Sequence, residues 1–210
     1  MINEKALNEL RNEIRSAEMS EKRKEHTLAV ESMAIRIGGI YAPDKLGVLS
    51  AAALLHDITK EYKTEDQLRI MEERGVTPTK IDKLAPKTLH AQTAALLIPE
   101  LYPDFSDPEV VSAVRFHTTG REKMTLTEKI VYLADYIDDT RKFPDCVRLR
   151  EMFWSAEPEK MSEPERTAHL REVLIASYKM TVEALLGDCT PISPDTADAL
   201  NELICEKYEN

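Results

Sequence analysis

The residues best suited to chemistry in this sequence are four histidines and two aspartates that fall on apolar segments. They are His26, His56, Asp57, His90, His117 and Asp135. A buried carboxylate must be paired, hydrogen-bonded or metal-bound, because an isolated charge in a protein core costs several kcal/mol. Imidazole nitrogens and carboxylate oxygens, without thiolates, are ligands that suit iron, manganese, zinc and similar divalent ions. The sequence therefore indicates a divalent-metal site.

Each of these residues, taken singly, also has an ordinary structural interpretation. A single histidine on an apolar helix face is more often a hydrogen-bonded core residue than a ligand, and Asp135 alone could cap or pair with a neighbouring helix. The joint pattern favours a site, since four of the five histidines share it. The fifth, His169, lies on an ordinary amphipathic helix, and we interpret it as structural.

The elements that carry these residues are predicted to be helices throughout. Apolar residues recur at three- and four-residue steps, and no segment shows sustained strand alternation. Ser20 can cap the helix that carries His26. A helix predicted over 44–57 is apolar nearly all round, which is typical of the buried centre of a bundle. With long C-terminal helices predicted over 165–186 and 194–208, the fold class is all-α, a helical bundle with additional C-terminal helices.

Capping chemistry predicts where several helices begin and end. The signals are the capping boxes Thr64/Gln67 and Thr125/Glu128, the starts Asp107-Pro108 and Ser193-Pro194, and the stops Gly75 and Gly120. The Pro- and Glu-rich segment 155–164 is the best candidate for a linker. We expect one domain over 1–210, with its core over about 20–150, an N-terminal helix over 1–19 and C-terminal helices over about 160–210.

Composition excludes several classes of protein. A net charge of −10 does not provide the overall positive surface that binds nucleic acid. The longest uncharged apolar stretch, 46–56, is too short for a membrane helix. No glycine-rich nucleotide loop is present. Three cysteines without CxxC spacing, and an N-terminus without the apolar core of a signal peptide, fit a reducing cytoplasm. We expect a cytoplasmic protein that binds neither nucleic acid nor membrane.

The same residues resemble the signature of a known family. His26, the His56-Asp57 doublet and Asp135 resemble the H…HD…D pattern of the HD-domain metal-dependent phosphohydrolases. The sequence segments around these residues are similar to those of the YqeK subfamily of symmetric dinucleoside tetraphosphatases. These segments are RKEHT at 23–27, ALLHDITK at 53–60, HTTGR at 117–121, and LADYI at 133–137 followed by Arg141. The resemblance covers about 20–150 and continues weakly to 193–196, where Ser193 stands in place of an expected histidine.

The resemblance implies both a ligand set and a reaction. The first metal ion would be held by His26, His56, Asp57 and Asp135. His90 and His117 would either bind a second ion, with Asp57 as the bridge, or contact substrate phosphates. Iron is the family expectation, and manganese is also allowed. The implied reaction is attack of a metal-bound hydroxide on diadenosine tetraphosphate to give two ADP, with Asp57 and Lys60 as catalytic residues.

The resemblance also implies how an acidic chain would hold an anionic substrate. Positive charge would be local, and the implied nucleotide contacts are Arg23, Lys60, His90, His117, Thr118, Arg121 and Arg141. For Arg121 a solvated surface role is an equal alternative. The helix over 165–186 could cover the nucleotide or pack against a second subunit, so a homodimer is left open.

Two other functions remain open on the sequence. The same fold could act on deoxynucleoside monophosphates, deoxynucleoside triphosphates or cyclic nucleotides, because substrate choice depends on the pocket and not on the fold. A non-catalytic nucleotide or metal sensor is the second alternative, although all six candidate ligands are present. A purely structural helical adaptor is disfavoured, since it gives no reason for six polar side chains on apolar stripes.

Overall fold

The computed structural model describes residues 2–208, and that part of the chain contains helices, turns and loops but no β-strand. The helices are α1 Glu4–Ser16, α2 Glu21–Tyr41, α3 Leu46–Leu55, α4 Thr64–Glu73, α5 Lys80–Leu84, α6 Leu89–Leu101, α7 Pro108–Phe116, α8 Leu126–Ile137, α9 Pro144–Ser155, α10 Glu163–Gly187 and α11 Pro194–Tyr208. The predicted all-α class is confirmed. None of the helices described here is both long and apolar enough to span a membrane.

Helix α3 forms the centre of the bundle. It packs against α1, α2, α7 and α8, and every side chain from Leu49 to Leu55 is buried. A helix with no polar face is stable only where its neighbours cover it on all sides, so the prediction of a central helix is confirmed. The helix is shorter than the predicted 44–57, because a 3-10 turn beginning at Pro43 precedes it and the chain turns again from His56.

Most of the predicted caps are present. The Oγ of Ser20 accepts a hydrogen bond from a backbone N–H of α2, and Asp107 does the same for α7. Thr125 and Glu128 form the reciprocal capping box at the start of α8. The last helix begins at Pro194, as predicted. Side-chain caps thus fix the N-termini of three helices that lead to the site.

The predicted capping box at Thr64 and Gln67 is wrong. Lys63 is the N-cap residue of α4, and Thr64 is already helical. The side-chain amide of Gln67 turns back to donate to the carbonyl oxygen of Tyr62 at 2.9 Å. Gln67 is buried, so its amide needs a fixed partner and takes the nearest free backbone oxygen.

The segment 155–164 is a structured turn and not an open linker. It contains a 3-10 turn over Pro158–Lys160, and Pro158 is buried. Helix α10 then begins at Glu163, two residues before the predicted start, and packs against α8, α9 and α11. The C-terminal helices therefore lie against the core of the bundle.

Stacked tyrosines join α8 to α10. The rings of Tyr132 and Tyr178 are 4.6 Å apart with an angle of 18° between their planes, and both side chains are fully buried. Both residues are therefore part of the hydrophobic core. Gly120, in the turn after α7, lies against Tyr178 with a φ of +64°. A Cβ at Gly120 would overlap the Tyr178 hydroxyl, whereas Gly75, with a φ of +76°, faces open space.

We expect Gly120→Ala to lower the free energy of unfolding by about 2 to 4 kcal/mol, since it combines left-handed backbone strain with overlap in a packed core. Gly75→Ala carries only the backbone strain and should cost about 1 kcal/mol. Urea unfolding followed by circular dichroism measures both values. Equal losses at the two positions would show that the contact with Tyr178 is not what requires glycine.

Candidate metal centre

The structure brings the six predicted site residues together in one cluster. The elements that supply them are α2 for His26, the turn after α3 for His56 and Asp57, α6 for His90, the turn after α7 for His117, and α8 for Asp135. Their side chains are buried, except that Asp135 is partly exposed. Within the described residues they form overlapping groups of three whose candidate ligand atoms lie within 4.8 Å of one another.

Asp57 lies at the centre of the cluster. Its Oδ1 is 3.1 Å from Nε2 of His90 and 3.8 Å from Nε2 of His117. Its Oδ2 is 3.4 Å from Nε2 of His56 and 3.7 Å from Nε2 of His26. Burial alone would raise the pKa of this carboxyl, but the surrounding histidines, His56 foremost, hold it well below its usual value. Each carboxylate oxygen therefore faces a pair of imidazole rings.

Two of these rings have their orientation fixed by backbone oxygens. Nδ1 of His56 lies 2.6 Å from the carbonyl oxygen of Ala53, and Nδ1 of His117 lies 2.7 Å from that of Val114. Because a carbonyl can only accept, the ring hydrogen is on Nδ1 and the Nε2 lone pair faces Asp57.

The donor set fits a divalent cation. Nε2 of His56 has no hydrogen-bond partner, although the side chain is fully buried. A lone pair directed at a carboxylate is repulsive unless a cation lies between them, and nitrogen and oxygen donors are what such ions bind. These groups could therefore hold one or more divalent metal ions.

Asp138 is a functional candidate that the sequence analysis missed. Its Oδ2 lies 3.3 Å from Nδ1 of His26, whose Nε2 is 2.9 Å from Oδ1 of Asp135. Burial alone would lower the pKa of His26, but Asp135 and Asp138 raise it to about 9. Asp138 thus orients the His26 ring so that Nε2 points into the cluster, and a metal ion bound there would displace a proton.

The other pair of histidines is neutral near pH 7. Burial lowers the pKa of His90 to about 4, and the nearby His117 and Lys60 lower it further, against the attraction of Asp57. Burial also lowers the pKa of His117. The two Nε2 atoms lie 3.1 Å apart. Neutral imidazoles this close can share one ligand or one metal ion.

Three cationic side chains surround the cluster. Arg23 bonds directly to Oδ2 of Asp57, and Nη2 of Arg141 lies 2.6 Å from Oδ1 of Asp135. Nζ of Lys60 lies 4.0 Å from Oδ1 of Asp57, and burial lowers its pKa. All three side chains retain between 21% and 32% exposure, so they can reach a ligand at the rim of the site.

Arg121 lies in a different setting from these three cations. Its Nε is 3.1 Å from Oε1 of the fully buried Glu128, and its guanidinium stacks on Phe116. Arg121 therefore has a structural partner, and its role in binding phosphate stays a prediction. His169 lies outside the cluster, with Nε2 3.0 Å from the carbonyl oxygen of Phe153, which agrees with a structural role.

We expect Asp138→Asn to weaken metal binding by about 10- to 100-fold, as loss of a carboxylate that orients a ligating histidine usually does. Asp139→Asn is the matched control, because its side chain is 71% exposed and pairs with Arg36 and Arg150, which are not part of the cluster. Calorimetric titration with Mn²⁺ measures the affinity. Equal affinities for the two variants would mean that Asp138 does not orient His26.

The chain is similar to known proteins over most of its length. The sequence profile of the HD domain matches residues 23–140. The curated "Bis(5'-nucleosyl)-tetraphosphatase, symmetrical" of Halalkalibacterium halodurans is 31% identical over 189 residues, covering 90% of this chain and 92% of that protein. A protein of the same name from Bacillus subtilis is 30% identical over 187 residues, covering 89% and 92%.

A solved structure shares the whole architecture. It is the crystal structure of a "predicted HD superfamily hydrolase involved in NAD metabolism" from Clostridium acetobutylicum. The two folds superpose with a TM-score of 0.79 at 29% identity, and the match covers 97% of each chain. The likeness therefore extends beyond the metal cluster to the N- and C-terminal helices.

Proposed function

This chain is a hydrolase that belongs to the HD-domain family, and we propose that it cleaves dinucleoside tetraphosphates symmetrically, giving two ADP from diadenosine tetraphosphate. The observation that carries the proposal is the buried cluster of histidines and carboxylates around Asp57, which could hold divalent metal and is surrounded by three cationic side chains. Relatives that bear the name of this activity support the choice of substrate, since they match about nine-tenths of the chain.

The metal would be held by residues of the cluster. The first position would be formed by His26, His56, Asp57 and Asp135. A divalent ion bound there would lower the pKa of a bound water molecule and stabilise negative charge on phosphoryl oxygens. Iron is the ion we propose, with manganese as the alternative, because nitrogen and oxygen ligands suit both.

The position of the ring hydrogen on His117 favours one of the two roles left open for this residue, which are metal ligand and phosphate contact. Because its Nδ1–H donates to the carbonyl of Val114, its Nε2 carries a lone pair and cannot donate to a phosphate oxygen. Its pKa is lowered by burial, which disfavours a second ring proton. His117, and with it the adjacent His90, therefore suits a second metal position better than a phosphate contact.

The chain's own cations would bind and polarise the phosphates. Arg23, Lys60 and Arg141 lie at the rim of the cluster, and each side chain is partly exposed. An arginine fork can hold two phosphate oxygens at once, and fixed positive charge stabilises the negative charge that develops during phosphoryl transfer. These residues give an acidic chain a local site for a polyphosphate.

The organisation of the chain and its setting are part of the same proposal. We infer one domain over the whole sequence, because α10 packs on α8 of the matched HD region and α11 packs on α10, with an ion pair from Glu206 of α11 to Lys129 of α8. A cytoplasmic location would suit a nucleotide substrate. A homodimer stays a prediction.

The experiment that tests the function is chromatography of the products formed by protein loaded anaerobically with Fe²⁺ or Mn²⁺. The substrates are diadenosine tri-, tetra- and pentaphosphate, nucleoside mono- and triphosphates, and cyclic nucleotides. ADP as the sole product of the tetraphosphate supports the proposal. AMP with ATP would reject symmetric cleavage, turnover of mononucleotides alone would favour another nucleotidase, and no turnover with metal bound would favour a sensor.

We expect Asp57→Asn and His56→Ala to lose both bound metal and turnover, since both residues face the centre of the cluster. His169→Ala is the control, because that histidine contacts Phe153 of α9 and is not part of the cluster. Metal analysis after gel filtration and the tetraphosphate assay measure the two properties. Full activity in either cluster variant would contradict the metal site.

We expect Lys60→Ala and Arg141→Ala to lower kcat/KM by about 10- to 100-fold, the worth of a charge-assisted hydrogen bond, while metal content is retained. Lys142→Ala is the matched control, since its exposed Nζ contacts only a backbone oxygen of Asp139. Steady-state kinetics with metal analysis distinguish the roles. Loss of metal from Lys60→Ala or Arg141→Ala would show that these cations support the cluster instead of the substrate.

A further inference from the structure

We propose that Arg150 of α9 is a positioning residue, which binds the backbone of the loop over 138–143 and thereby holds Asp138 and Arg141 in place at the metal cluster. The loop joins the end of α8 to the start of α9. The part of the proposal that concerns Arg141 rests on the proposed function, in which this residue binds phosphate. The part that concerns Asp138 rests on the geometry of the cluster.

Two arginine side chains cap the C-terminal end of α8. The backbone leaves the helical conformation at Asp138, where φ is −59° and ψ is 158°, and the last four carbonyl groups of a helix have no partner within it. Nε of Arg141 donates to the carbonyl oxygen of Asp135 at 2.9 Å, and Nη1 of Arg150 lies 3.4 Å from that of Ile137. Cations are favourable here, because the helix dipole is negative at this end.

The guanidinium of Arg150 also binds the loop itself. Its Nη1 donates directly to the carbonyl oxygen of Asp138, and its Nη2 lies 3.4 Å from the carbonyl oxygen of Arg141. The backbone N–H of Arg141 donates to the same Asp138 carbonyl at 3.1 Å, which closes a turn between the two residues. Because the Arg150 side chain is only 18% exposed, loss of its donors would leave these carbonyls poorly paired. One planar group thus bonds to the backbone of both residues.

The side chains of these two loop residues end at the cluster. Oδ2 of Asp138 lies 3.3 Å from Nδ1 of His26, and Nη2 of Arg141 lies 2.6 Å from Oδ1 of Asp135. The amide and the hydroxyl of Thr140 both donate to Oδ1 of Asp138, which orients this carboxylate relative to the loop backbone. A shift of the loop would therefore move both the carboxylate that orients His26 and the guanidinium beside Asp135.

The planar fork of arginine suits this role better than charge alone. A guanidinium presents several donors in one plane and can bond to more than one carbonyl, whereas a lysine ammonium is a single centre on a flexible stem. Nε of Arg150 also lies 4.0 Å from the exposed Asp139, an ion pair of a kind that contributes little. Arg148, on the same helix, is 68% exposed and pairs with Asp145 within α9. Of these two arginines, Arg150 is the one that bonds to the loop backbone.

The test replaces Arg150 by methionine, which keeps an apolar stem and removes the donors, with Arg148→Met as the matched control. Calorimetry measures the binding of Mn²⁺, and then the binding of pyrophosphate at saturating Mn²⁺. We expect Arg150→Met to weaken both by about tenfold, the lower end of the effect of losing a group that supports a metal ligand. Arg148→Met should change neither. Unchanged affinities in Arg150→Met would overturn the proposal.

Double variants distinguish positioning from general support of the fold. If Arg150 acts through Asp138, adding Arg150→Met to Asp138→Asn should weaken Mn²⁺ binding no further, since residues that act through one another are not additive. In the same way, adding Arg150→Met to Arg141→Ala should weaken pyrophosphate binding no further. Additive losses in the first pair would overturn the action through Asp138, and additive losses in the second pair would overturn the action through Arg141.

A second variant guards against a folding defect, and a parallel assay separates this proposal from the proposed function. Arg150→Lys keeps a positive charge at the end of α8 and removes only the fork, so we expect a folded protein by circular dichroism with weakened Mn²⁺ binding. Wild-type affinity in Arg150→Lys would overturn the proposal. Absence of turnover of diadenosine tetraphosphate by the wild-type protein would reject the proposed function itself. Turnover to ADP, together with Arg150 variants that bind Mn²⁺ and pyrophosphate normally, would reject only the positioning role.

Discussion

The carboxylate of Asp57 is the interaction on which the rest of the structure depends. A charged group this deeply buried costs several kcal/mol unless its surroundings compensate it. Helices α2 and α6, together with the turns after α3 and α7, each direct an imidazole at one of its two oxygens. The packing of the apolar helix α3 in the centre of the bundle is what makes this convergence possible, since it places Asp57 within reach of elements on every side.

The ends of helices prepare two of the ligands. The last four carbonyl groups of a helix have no partner within the helix. Ala53 and Val114 are among those positions in α3 and α7, and each carbonyl accepts a hydrogen bond from a histidine just beyond the helix end. The same bond satisfies the backbone and fixes the ring hydrogen on Nδ1. A structural need of the helix terminus thus leaves Nε2 of His56 and His117 free to bind a metal.

The sequence predicts the fold class and all six clustered residues, because polar side chains on apolar helical stripes are costly unless they meet. It does not predict Asp138, since a pair of aspartates after a helix is typical of an exposed terminus. Only the fold shows that Asp138 is fully buried against His26 while Asp139 is 71% exposed. The sequence also wrongly predicts a capping box at Thr64 and Gln67. A local motif cannot show that Gln67 is buried and that its amide bonds to the carbonyl of Tyr62.

The distribution of charge explains how a chain of net charge −10 can hold a polyanion. Arg23, Lys60 and Arg141 place positive charge within a few ångströms of the cluster, where low solvent exposure strengthens it. Net charge therefore says little about such a substrate, because these cations would act on a bound phosphate over distances shorter than the screening length of about 8 Å.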